Sequence, residues 1–198
     1  MKERCRLIKD WIEGLGTSQL AEWDQLPDIG LYMDQVVTIL ERQSGQYLQG
    51  EDVKAITPSM INNYVKDGII KRPVMKKYGR EHLADLLILN SAKQVLPISD
   101  IAVLLRHMED EVSTGEKYSY YRALQQEACE GVAARMRQAL DNVGTECDDR
   151  QLFIFASRLV LEANLLTSAA KMLLRDVMRP SNGAKERKAP DSKKRKGK

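Results

Sequence analysis

Residues 56–82 read ITPSMINNYVKDGIIKRPVMKKYGREH, and two kinds of side chain there could do chemistry. Asn62 and Asn63 are adjacent amides, and Lys66, Lys71, Arg72, Lys76, Lys77 and Arg80 are cations that follow them closely. The chemistry on offer is recognition. A side-chain amide donates and accepts at once, which suits the edge of adenine in the major groove. Lysine and arginine neutralise phosphates and fix register on a nucleic-acid backbone. On a helix over 58–67, the helical repeat puts Ile61, Tyr64 and Val65 on one side. Ser59, Asn62, Asn63 and Lys66 then fall largely on the other.

No catalytic set competes with this reading. His82 and His107 fall on different predicted helices, and HMEDE lacks the second histidine of a zinc-protease helix. Gly14 and Gly16 follow no predicted strand, so no phosphate-cradling loop is supported. Cys5, Cys129 and Cys147 are odd in number and far apart. They are read as reduced thiols of a cytosolic protein, and Cys147 has no second thiol in its loop to make a metal pair. The expectation is a protein that is not an enzyme and uses no cofactor and no metal.

The net charge of +3 hides an uneven distribution. Residues 66–80 carry +5 and residues 180–198 carry +6, which leaves the rest of the 198-residue chain at −8. An acidic body with two basic patches points to an anionic partner at those patches. No uninterrupted apolar run reaches the roughly 18 residues of a membrane span, and the charged start, MKERCRLIKDW, has no signal core. A cytoplasmic protein with no membrane partner is expected.

The elements that must position these side chains can be read from apolar spacing. Residues 2–15 form an amphipathic helix on Leu7, Ile8, Trp11, Ile12 and Leu15, and DQLPDIG breaks the chain. Met33, Val36, Val37 and Leu40 define a one-sided helix over 31–42, and polar residues 43–55 connect it onward. Thr57 caps the next helix, Pro58 occupies its first position, and Gly68 stops it. Residues 69–79 read as two short extended pieces joined by a turn. REHLADLLILNSAKQV is a strong helix, Pro97 breaks it, and ISDIAVLLRHM begins another. A polar junction at 109–117 suggests a domain boundary. Two long helices follow at about 117–143 and 149–178, and the basic tail 180–198 is too polar to order.

This order of elements is that of a winged helix-turn-helix, whose second helix enters the major groove. TPSMINNYVKDGII followed by YGREHLADLLILNSAKQVLPISDIAVLL resembles the DNA-binding domain of the mercury-resistance-regulator (MerR) superfamily. Tyr64, Gly68, Ile69 and Ile70 match a tyrosine, a glycine and two leucines of that pattern. Tyr78 matches the wing tyrosine, and Ile98, Ile101, Leu104 and Leu105 match its last motif. Asn62 and Asn63 stand where that superfamily has arginine and tyrosine. The resemblance implies a mostly α fold, a MerR-like winged helix-turn-helix domain at 26–108, after an N-terminal helix at 1–25. A more specific likeness is to an uncharacterised bacterial domain-of-unknown-function family. LPDIGLYMDQV, MINNYVKDG, KKYGREHL and KQVLPISDI carry it. It implies a bacterial cytosolic protein and brings no activity.

In the last helix Leu152, Ala156, Leu159, Ala163, Leu166, Ala170 and Leu173 recur at spacings of four and three, a heptad seam. The helical hairpin at 117–178 is therefore expected to dimerise, which would present two reading helices to two half-sites. The function expected is a sequence-specific, dimeric transcription regulator bound to double-stranded DNA through Ser59, Asn62, Asn63, Lys66, Lys71, Arg72, Lys76, Lys77, Tyr78 and Arg80. The alternatives are a protein–protein adaptor using the same surfaces, and an RNA-associated protein bound through its tail. No effector class is indicated.

Overall fold

A computed structural model of the chain describes residues 2–17, 19–44, 56–107, 111–143 and 148–178. Seven α-helices occupy them: α1 Lys2–Thr17, α2 Met33–Ser44, α3 Pro58–Lys66, α4 Arg80–Ala92, α5 Ile98–Arg106, α6 Thr114–Val143 and α7 Asp149–Met172. A 3-10 turn at Trp23–Gln25 precedes α2, and a π turn at Leu173–Val177 prolongs α7. The basic tail and the connection between α2 and α3 lie outside the described residues.

The fold is organised around α4. Its sequence is apolar on every side, and such a helix can be stable only at the centre of a core. Leu83, Ala84, Leu86, Leu87, Ile88, Leu89 and Ala92 are all buried. Helices α2, α5 and α6 pack against it. From α2 come Val36 and Leu40, from α3 Ile61, from α5 Ile101 and Leu105, all in one continuous core.

That core continues beyond the polar junction at 109–117. Tyr118, in the second turn of α6, is fully buried and donates its hydroxyl to Ala21 O at 2.8 Å. Tyr121 donates to Ser91 Oγ of α4 at 2.9 Å, and burial raises its phenol pKa. Lys117 Nζ reaches Asp85 Oδ1 at 3.0 Å and Leu105 O at 2.8 Å, so one ammonium joins α6 to α4 and α5. The carboxylate of Asp85 is nearly enclosed, and an enclosed carboxylate needs such a partner. Arg122 Nε donates to Leu20 O at 2.9 Å, which pins the segment before α2 to the same helix. The first half of α6 is thus part of the helical body, and α1 lies along α6 as well.

The second half of α6 and α7 form an antiparallel hairpin that leaves the body and returns to it. Arg135 of α6 meets Glu162 of α7 at 3.3 Å. At the return, Leu174 is buried and Arg175 Nε bonds to Asp100 Oδ2 of α5 at 2.9 Å. Asp100 is wholly buried in the first turn of α5, where the helix dipole favours a carboxylate.

The fold is mostly α, as the apolar spacing indicates. No strand is present among the described residues. The extended pieces predicted at 69–79 are reduced to two isolated bridges, Leu31 with Tyr78 and Val74 with Lys77. Two such contacts are too few to make a ladder, because the chain turns back after two residues. The thiol expectation also changes: Cys5 is disulfide-bonded, whereas Cys129 is free. Burial and the neighbouring Glu130 raise the Cys129 thiol pKa.

Candidate nucleic-acid interface

Helix α3 is short, and its ends are fixed by local chemistry. Thr57 Oγ1 accepts the Met60 N–H at 3.3 Å, and Pro58 opens the helix where a missing N–H costs nothing. Such a cap contributes about 1 kcal/mol. At the far end Gly68 takes φ +68°, a left-handed conformation that other side chains resist. Ile69 N–H and Ile70 N–H then both donate to Tyr64 O, at 2.8 and 3.2 Å. Arg106 Nη2 of α5 donates to Gly68 O at 2.9 Å and holds this stop in place.

The inner face of α3 consists of fully buried Ile61 and partly buried Tyr64 and Val65. Burial raises the Tyr64 phenol pKa. The outer face is Ser59, Asn62, Asn63 and Lys66, all exposed. The two amides are therefore offered to solvent, as the helical repeat indicates.

After the turn at Asp67 and Gly68, residues 69–79 form a ribbon of extended and turn backbone. Lys77 N–H donates to Val74 O at 2.9 Å, closing a tight turn over Met75 and Lys76. Both turn residues have positive φ, 48° and 63°. Such a turn is normally built from Asn and Gly, because a side chain in this region costs about 1–2 kcal/mol. Val74 and Met75 project from its tip, 69% and 85% exposed. Lys71, Arg72 and Lys76 are exposed around them. With Lys66, they have no ion-pair partner among the described residues.

Two sequence-predicted contacts are placed differently, and a third is exposed but engaged along its stem. Tyr78 is buried, not available to a ligand. Its backbone exchanges two hydrogen bonds with Leu31, both 2.9 Å, and its ring meets His82 edge-on at 5.5 Å. The tyrosine is a packing residue that anchors the base of the ribbon. Arg80 is largely enclosed: its guanidinium lies 5.4 Å from the Trp23 ring, with Asp24 at 3.9 Å and Asp28 at 3.6 Å. That charge is engaged within the body. Lys77 remains exposed, but its stem covers Gly30, where an added Cβ would come within 2.9 Å, and its ammonium lies 5.6 Å from the Tyr32 ring.

Arg106 is the residue that sequence reading missed. It sits 38 positions from Gly68, and no local pattern links them. His82 Nδ1 accepts the Gly79 N–H at 3.1 Å, so this histidine caps α4.

The predicted dimer seam is divided. Leu152, Leu159 and Ala170 are half-buried, whereas Ala156, Ala163, Leu166 and Leu173 are exposed. A cleft of about 430 Å³ separates α6 from α7, lined by Arg135, Gln138, Phe155, Arg158 and Leu159 among others. No residue of α7 itself is buried. Asp149–Val177 is long and apolar enough to cross a membrane by length and composition.

These features define a mostly helical protein with a body built on α4, a short capped helix carrying exposed amides and cations, and a C-terminal hairpin. The chain belongs to the DUF1836 family, a domain of unknown function whose sequence model matches residues 21–126. That span takes in the first turns of α6, in keeping with their place in the core. Comparisons with curated proteins and with solved structures gave no match.

Proposed function

We propose that this protein is a sequence-specific DNA-binding regulator of the bacterial cytoplasm, acting as a pair of chains, with a helix-turn-helix reading unit of MerR-like type. The carrying observation is the exposed amide pair Asn62 and Asn63 on a short, firmly capped helix followed, after a turn, by a cationic ribbon. In this reading α3 enters the major groove and its amides address base edges. Lys66, Lys71, Arg72 and Lys76 grip phosphates on either side, with Lys77 beside them. Tyr78 and Arg80 serve the fold that holds the ribbon.

The test is binding to duplex DNA, followed by fluorescence anisotropy over a range of salt. Replacing Lys71, Arg72, Lys76 and Lys77 with Glu removes binding and leaves the circular dichroism unchanged. The affinity of the native chain falls linearly with salt on a double-logarithmic plot, with slope about −0.9 per phosphate contacted. Asn62→Ala and Asn63→Ala narrow the gap between preferred and random sequence while non-specific binding persists. Equal loss on all sequences removes the reading role. Selection of bound genomic fragments supplies the preferred sequence.

A second reading is favoured by one observation. Val74 and Met75 at the ribbon tip are large, apolar and exposed, which suits a protein partner. If the ribbon serves as an adaptor surface, Met75→Ser weakens the partner complex, and the fourfold Glu variant gives no DNA effect because the native chain binds none.

A further inference from the structure

We propose that the outer stripe of α7, Ile154, Leu161, Leu165 and Met172, is the surface on which two copies of this chain join, with the two α7 helices antiparallel. This deepens the paired-chain part of the proposed function, and it stands whether or not the protein binds DNA.

The four side chains are 52%, 63%, 71% and 50% exposed. With Arg158 and Ser168 they form one continuous line along the helix, Ile154, Arg158, Leu161, Leu165, Ser168, Met172. The steps are four, three, four, three and four residues, the repeat of a helix-pairing seam. Ile154 and Arg158 also border the cleft between α6 and α7, so the stripe adjoins that cleft at its N-terminal end.

The order of residues selects a second copy as the occupant. An isologous interface must be self-complementary: what i meets, j must meet in return. The steps of this line read the same from either end. Reversing α7 about a two-fold axis level with Ala163 sets Leu161 opposite the partner's Leu165 and Ile154 opposite the partner's Met172. Arg158 then falls opposite the partner's Ser168, a hydroxyl that can accept from the guanidinium. A parallel pairing would set Arg158 against its own copy, with like charges in contact.

A lipid bilayer fits the same helix less well. Arg158 and Glu162 lie near the middle of the apolar stretch, where each charge costs about 2.5–3.5 kcal/mol in hydrocarbon. Glu162 is moreover held by Arg135 of α6 at 3.3 Å, and α6 is charged along its length. Insertion would break that pair or draw a charged helix in after it.

The stripe is not the seam read from the sequence. Ala163 lies between Leu161 and Leu165 in sequence but about half a turn away from them around the helix. Charge at these positions therefore separates the two surfaces. Light scattering on the full chain is expected to give the mass of two chains. Leu161→Glu with Leu165→Glu halves it, and Ala163→Glu leaves it unchanged, helicity being preserved in both. Register is read by oxidative cross-linking in a Cys129→Ser background. A mixture of Ile154→Cys and Met172→Cys chains forms inter-chain disulfides, and neither variant does so with itself.

A single-chain mass for the native protein overturns the proposal. So does an unchanged mass in the double Glu variant, loss of the dimer in Ala163→Glu, or self-cross-linking of either cysteine variant. A single chain that floats with phosphatidylcholine–phosphatidylserine vesicles assigns the stripe to lipid, and overturns it equally. The fourfold Glu variant of the ribbon keeps the two-chain mass, so failure of DNA binding and failure of pairing are read separately.

Discussion

Helices α4 and α7 are both rich in apolar residues, and the fold treats them in opposite ways. Of the 13 residues of α4, nine are buried, including Asp85 and Asn90. Of the 24 residues of α7, none is. Apolar content alone therefore does not decide burial. α4 is surrounded because α2, α5 and α6 all pack against it. α7 has α6 along one side, Leu174 and Arg175 docked at its far end, and open space elsewhere. The apolar residues of the body are covered within one chain, and those of α7 are largely exposed.

The largest effect that tests this contrast is a pair of truncations. Leu87→Ala in α4 removes a fully buried side chain and costs about 2–5 kcal/mol of unfolding free energy. Leu161→Ala in α7 stays within about 0.5 kcal/mol when measured at a dilution where chains are separate. Urea unfolding gives both numbers, and equal losses would mean that α7 is covered within its own chain.

Next in size is the tether at the return of the hairpin. Arg175→Ala leaves the wholly buried carboxylate of Asp100 without its guanidinium and costs about 1–3 kcal/mol. Hydrogen exchange should speed up in α7 more than in α4. Uniform acceleration would show that hairpin and body open together.

A smaller effect of opposite sign is expected at the ribbon tip. Met75→Asn with Lys76→Gly supplies the residues that tolerate positive φ and stabilises the body by about 1 kcal/mol. A fall in thermal midpoint would show that the native side chains support the turn in another way.

The smallest concerns Cys129, on the half-exposed flank of α6. Its thiol pKa is raised by burial and by Glu130, so at neutral pH less of it is thiolate than in a free cysteine. Alkylation is therefore slower than that of a small thiol at pH 7 and gains on it as pH rises. Equal rates at pH 7 would remove the electrostatic account.

Much of this could be read from local pattern. The capped α3, with Thr57 and Pro58 at one end and Gly68 at the other, follows from turn and cap chemistry that acts over a few residues. So does the outward placing of Asn62 and Asn63, since Ile61, Tyr64 and Val65 fix which side is inside. The roles of Tyr78 and Arg80 could not be read in this way. Each was placed among the ligand-facing residues by sequence position, yet Tyr78 is consumed by pairing with Leu31 and Arg80 by Asp24, Asp28 and Trp23. Those partners lie some 50 residues away, and a linear pattern holds no information about them.

What the chain's own order of residues established is the set of helices, their caps and stops, and the side of each that is apolar, because these depend on neighbours within about one turn. Three-dimensional packing settled which of those apolar sides are covered, which cations are already paired, and that α6 belongs half to the body and half to the hairpin. Burial and charge pairing are properties of distance in space, and here the contacts that fix them join residues as far apart as Ala21 and Tyr118 or Asp100 and Arg175.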